Sequence, residues 1–206
     1  MRLLTLLLLS APLVAAEAPR IWFSKSFPGS KPPYFEARVE CSGQGEYRED
    51  PNDDQPVRFQ MREHEVQAIF GLAEKVDYFR RPLESGLKVA KTGQKVFRYE
   101  GGTNSQVEFN YTQDPDGQAL LDWFERIGES ARILAELERN ARFDRLGVNH
   151  SLLLLQSLAD RNRVVAADQF LPVLDRIAKN GSYINMARTR AANLADKFRA
   201  SGEKPE

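Results

Sequence analysis

The apolar residues of this chain keep two spacings, and the place where one gives way to the other sets the fold class. Between residues 20 and 61, and again between 95 and 111, most recur at every second position. Phe35, Ala37, Val39 and Cys41 alternate with Glu36, Arg38 and Glu40, and Val57, Phe59 and Met61 alternate with Arg58 and Gln60. Successive strand side chains point to opposite faces, so each run has one apolar and one polar face. After residue 115 the apolar residues fall three and four apart, the period of a helix that buries one stripe. Strands followed by helices predict an α+β fold: an antiparallel-rich sheet with helices packed on one face, followed by a small α-helical C-terminal region.

Local chemistry marks the boundaries. Arg20 to Ser26 is a short strand, stopped by Phe27-Pro28-Gly29-Ser30-Lys31-Pro32-Pro33, since proline lacks the N–H that a strand interior donates. Tyr34 to Cys41 is the clearest strand, with Cys41 on its apolar face as a small buried hydrophobe. Ser42-Gly43-Gln44-Gly45 turns it into the return strand Glu46 to Arg48, and Glu49 to Gln55 is an acidic loop. Val66, Ile69, Phe70, Ala73, Val76 and Phe79 make Glu63 to Arg80 an amphipathic helix that ends before Pro82. Lys95 to Glu100 and Thr103 to Tyr111 flank Gly101-Gly102, a pair suited to the positive φ of a tight hairpin.

Asp114-Pro115 has the form of an N-cap followed by proline at the first helical position. The helix behind it presents Leu120, Phe124, Ile127, Ala131 and Leu134, and runs toward Leu146 with Gly147 as its stop, or divides at Gly128. Asn149 is placed to cap a leucine-rich third helix. A fourth runs from Ala166 to Lys179. The fifth, Ile184 to Arg199, buries Ile184, Ala187, Ala191, Leu194 and Phe198.

Residues 1–16 have the form of a secretory signal peptide: Arg2, an apolar run from Leu3 to Leu9, and Val14-Ala15-Ala16 before the cleavage point. That run is short for a membrane span, which needs ~20 residues, and the mature chain offers no longer one. The organisation expected is a signal peptide (1–16), an α+β domain (17–128), a helical region packed on it (129–200) and a flexible tail (201–206). The location expected is secreted or periplasmic.

Charge and cysteine content exclude several functions. The 29 Lys+Arg balance the 29 Asp+Glu, so no global field favours nucleic acid. The balance is uneven along the chain: residues 145–206 hold ten bases and six acids. A single cysteine leaves no internal disulfide and no multi-cysteine metal site, and no cofactor is expected. His64 and His150 lie in no nucleophile or zinc pattern. The acidic loop Glu49 to Asp54 lacks the glycine and spacing of a calcium loop.

The first ~110 mature residues, a usual size for a small domain, resemble a family of secreted bacterial domains of unknown function. The resemblance rests on Gly29-Ser30-Lys31-Pro32-Pro33-Tyr34 at a turn of the form G-x-C-P-x-Y, and on Gly43-Gln44-Gly45-Glu46-Tyr47 at a second element. Pro28 and Lys31 stand where that family often has a cysteine pair, so no redox role carries over. The resemblance implies export and no known activity. Leu171-Pro172-Val173-Leu174 through Ala187-Arg188-Thr189-Arg190-Ala191 to Leu194 is similar to one HEAT-type repeat, or is plain bundle core.

With no catalytic set, the expected function is a noncatalytic exported domain that binds a protein or cell-envelope component. An exported inhibitor or regulator acting through the proline-rich loop is the alternative. A hydrolase using strand carboxylates such as Glu36, Glu40 and Glu108 is the third reading. Trp22 and Tyr34 fall on the strand faces opposite Phe23 and Phe35. If the helices cover only the other face, Trp22, Tyr34 and Arg38 form a recognition surface, with Lys31 at its rim. If they cover this face, the rings are core. Arg188 and Arg190 form the alternative basic face, toward an anionic partner or lipid headgroups.

Overall fold

The structure is a computed structural model that describes residues 18–202. The signal-peptide expectation and the end of the expected tail lie outside the described residues. Within them the chain is α+β. Six strands, β1 (Arg20–Ser26), β2 (Tyr34–Glu40), β3 (Gln44–Arg48), β4 (Val57–Gln60), β5 (Gln94–Glu100) and β6 (Ser105–Phe109), form one antiparallel sheet in the order β4-β3-β2-β1-β5-β6. The helices are α1 (Glu63–Lys75), α2 (Pro115–Phe143), α3 (Gly147–Asp160), α4 (Leu171–Lys179) and α5 (Asn185–Gly202). No helix among the described residues is long and apolar enough to cross a membrane.

The alternating pattern sets which face is buried. Ile21, Phe23, Phe35, Ala37, Val39 and Phe97 all point to one side and pack with Ile69 and Ala73 of α1 and with Leu120, Phe124, Ile127 and Ala131 of α2. Phe23 lies at the centre, 4.9 Å from Phe97 and 5.3 Å from Phe124 between ring centroids. Ile133, Leu134 and Leu137 of α2 belong instead to a second core with α3, α4 and α5. The expected boundary between residues 128 and 129 therefore falls inside one unbroken helix whose two halves serve two cores. Gly128 does not divide it. A Cβ there would stand 3.3 Å from the Tyr47 ring and 3.4 Å from the Phe35 ring, so glycine lets α2 press close on the sheet.

The caps and turns partly differ from expectation. Asp114 caps α2 as expected, accepting the Gly117 N–H at 2.9 Å. Gly101 and Gly102 open the β5–β6 turn at φ +126° and +92°, but the turn runs on through Asn104, so the hairpin is longer than the two-residue one expected and β6 begins at Ser105 rather than Thr103. Gly147 opens α3 rather than stopping α2, and Asp144, not Asn149, accepts the Leu146 and Gly147 amides, at 3.2 and 3.1 Å. The first helix ends at Lys75, short of Arg80, because Asp77, Tyr78 and Phe79 adopt left-handed φ of 55°, 47° and 67°. That turn swings Phe79 into the core, stacked on Phe97 at 5.1 Å. Helix α4 is preceded by a separate 3-10 turn over Ala167–Phe170, and α5 continues through Ser201 to Gly202, where a loose tail was expected.

Two residues expected in the core are outside it. Strand β2 ends at Glu40, whose carbonyl accepts the Gly43 N–H at 2.9 Å, so Cys41 occupies the turn and is exposed. Ile184 lies just before α5 and is 57% exposed, while Ala187, Ala191, Leu194 and Phe198 are buried as the stripe requires.

Candidate functional site

With the helices on the Phe23 side, the other sheet face carries the alternate residues of every strand. The register aligns one row across the whole sheet: Gln106, Arg98, Trp22, Arg38, Glu46 and Arg58. A parallel row holds Glu108, Val96, Ser24, Glu36 and Arg48. Trp22 thus stands between Arg98 and Arg38. The Arg98 guanidinium carbon lies 4.5 Å from the Trp22 ring centroid, a cation–π contact that leaves the indole half-buried.

Ion pairs hold the flanking charges in place. Glu46 takes Arg38 at 2.8 Å, Arg48 at 3.2 Å and Arg58 at 3.5 Å. Arg48 also reaches Glu36 at 3.3 Å, and Glu100 takes Arg20 and Arg98. Three guanidinium groups therefore share the Glu46 carboxylate, Arg38 and Arg48 more closely than the exposed Arg58. Tyr34 is half-buried and donates its hydroxyl to Glu36 at 2.5 Å. Burial first, and then the Glu36 carboxylate, push its phenol above the usual tyrosine range, so it remains a proton donor. Beside Arg38, at the β4 edge, a shallow cleft of about 340 Å³ is lined by Glu40, Gln44, Glu46 and Arg58.

Trp22, Tyr34 and Arg38 therefore share the face assigned to them, and the described helices pack on the opposite one. Tyr34 sits four residues along β2 from Arg38, about 13 Å away at the rise of a strand. Lys31 does not join them. Its loop leans over α2, where Arg132 donates to the Lys31 carbonyl at 3.1 Å. The residue lines two clefts on that side, of about 210 and 560 Å³. The basic face of α5 also separates: Arg188 turns to α4 and donates to the Ala178 carbonyl at 3.3 Å, while Arg190 turns to α3 and holds Gln156 at 2.9 Å and Asn149.

The strand carboxylates are engaged by hydrogen-bond donors. Glu36 receives Tyr34 and Arg48, Glu108 accepts from Gln94 at 2.6 Å, and Glu40 lies 3.5 Å from the Ser42 hydroxyl. Their partners are not Arg38 or Arg98, which bind Glu46 and Glu100. His64 and His150 are exposed. No three His, Cys, Asp or Glu side chains converge on a metal position among the described residues.

Arg98 and Glu46 are the members of this surface that sequence reasoning missed. Parity alone puts both on a polar face, but only the register brings Arg98 over Trp22 and three arginines onto Glu46. Comparison with protein-family models, curated proteins and solved structures finds no match to this chain.

Proposed function

We propose that this chain is a noncatalytic exported binding module that docks a protein or cell-envelope component on the outer face of its sheet. The observation that carries the reading is Trp22, half-exposed and set between two arginines on a face opposite the helices. An indole buries much area per rotatable bond, and arginines already ordered by Glu46 and Glu100 lose little freedom on docking. Tyr34 supplies a second amphipathic group on the same face.

The test is capture from a native envelope extract by the wild-type chain, by Trp22→Ala and by Tyr34→Ala, with thermal midpoints measured in parallel. A species retained by the wild type should bind each variant more weakly by over ~1 kcal/mol, as expected of an anchor. The midpoints should change little. Equal retention by all three chains, or a large loss of midpoint in the variants, would overturn the assignment.

A further inference from the structure

We infer that the corner joining α2 to α3, with the start of α5 beside it, docks on an anionic membrane surface. The four most exposed large apolar side chains of the described residues are here: Leu146 at 88%, Phe143 at 83%, Met186 at 60% and Ile184 at 57%. The fold gathers them from two segments. Tyr183, next to Ile184, donates its hydroxyl to the Ala141 carbonyl at 3.0 Å, and Arg190 of α5 reaches Asn149 of α3.

The charge around them is predominantly positive. Residues 138–146 carry Arg139, Arg142 and Arg145 against Glu138 and Asp144, and residues 179–190 carry Lys179, Arg188 and Arg190 with no acid. Asp144 already accepts two backbone amides. None of these six bases forms an ion pair among the described residues, whereas Lys197 and Arg199 farther along α5 pair with Asp160 and Asp175. Exposed apolar groups and bases without an acidic partner therefore coincide at this corner, Arg139, Arg142 and Arg145 on the α2 side and Arg188 and Arg190 held by neutral acceptors on the α5 side.

That combination fits a lipid surface. Phe143 and Leu146 project from a connection rather than lining a groove, so they suit a medium that closes around them. Arginines beside them can reach headgroup phosphates while the apolar tips enter the acyl boundary. A second copy of this chain is a poor occupant, because it would set the same bases against each other. The surface is separate from the outer sheet face and does not depend on its role.

The test is co-sedimentation of the purified full chain with vesicles containing about 30% phosphatidylglycerol, and with pure phosphatidylcholine vesicles. Binding should require the anionic lipid and weaken as salt rises. Phe143→Ser combined with Leu146→Ser should lower partition at least about fivefold, and so should Arg142→Gln combined with Arg145→Gln. Both pairs are exposed, so the thermal midpoint should hold. Trp22→Ala should bind vesicles like the wild type, which separates this surface from the sheet face. Failure to sediment with anionic vesicles, equal binding to neutral ones, or undiminished binding by Phe143→Ser with Leu146→Ser would overturn the inference. So would a concentration-dependent oligomer that the same substitutions dissolve.

Discussion

Arg62 and Asp168, 106 residues apart, form a two-pronged ion pair that fastens the start of α1 to the helical region. Arg62 Nη2 lies 2.7 Å from one carboxylate oxygen and Nε lies 3.0 Å from the other. The same guanidinium donates to the Phe198 carbonyl at 3.0 Å and to the Ser201 hydroxyl at 3.2 Å. Below it, buried Glu65 accepts the Arg62 N–H at 2.8 Å with one oxygen and the Ala166 N–H at 3.0 Å with the other. One turn of α1 thereby joins the two cores.

Arg62→Gln should cost about 2 kcal/mol in urea unfolding, since it removes the charge-assisted bonds to Asp168 and to the Phe198 carbonyl. Glu65→Gln should cost a similar ~1–3 kcal/mol, because an amide presents only one acceptor where two separate N–H groups need one each. Unchanged midpoints for both variants would show that the two cores do not depend on this junction.

The same pair sets an acid dependence. The hydrogen bonds from Arg62, and then its charge, hold the Asp168 carboxyl below the usual range. A carboxyl depressed in the folded state contributes stability above its unfolded value, ~3.9, and that contribution is lost as pH falls through the folded value. Stability measured from pH 5 downward should therefore fall less steeply in Asp168→Asn than in the wild type. Parallel curves would remove Asp168 as a source of the acid sensitivity.

Cys41 gives a direct reactivity test. It is exposed in the turn after β2. Native protein should react with a thiol reagent at a rate close to that of the unfolded chain, and Cys41→Ser should stay within ~0.5 kcal/mol of wild type, as exposed substitutions do. Labelling that waits for unfolding would contradict the exposed position.

The contrast between Cys41 and its neighbours shows what the sequence made legible. Strand parity rightly placed Phe35, Ala37 and Val39 inside, and the Asp114-Pro115 cap and Gly101-Gly102 turn depend on chemistry local to a few residues. Parity carried one residue too far puts Cys41 inside, because the turn that ends β2 overrides the alternation. Glycine misled in the opposite sense: Gly128 and Gly147 read as helix breaks, yet one admits a close helix–sheet approach and the other starts a helix. The site was legible as a face but not as an arrangement. Trp22, Tyr34 and Arg38 follow from parity, while Arg98 over Trp22 and the lean of Lys31 toward Arg132 depend on pairing and packing between residues distant in sequence.

The β3–β4 pairing offers a final test of how tightly the sheet edge is packed. Gly45 lies opposite Phe59, and a Cβ built on Gly45 would stand 2.1 Å from the ring's Cε2 and 2.3 Å from its Cζ. The ring therefore covers the bare glycine backbone and completes the buried face at the place where β4 is only four residues long. Phe59 is 7% exposed, so it can yield to a methyl group only by disturbing Phe59's neighbours in the core. Gly45→Ala should cost about 2 kcal/mol by overpacking. Phe59→Leu should cost about 1 kcal/mol in lost burial. Combined, they should cost clearly less than the sum, since the smaller side chain vacates the space that the new methyl needs, with a coupling of at least ~1 kcal/mol. Urea denaturation of the four proteins of this cycle measures that coupling. Simple additivity would mean that the ring swings clear of residue 45 at little cost, and that the edge is looser than the contact implies.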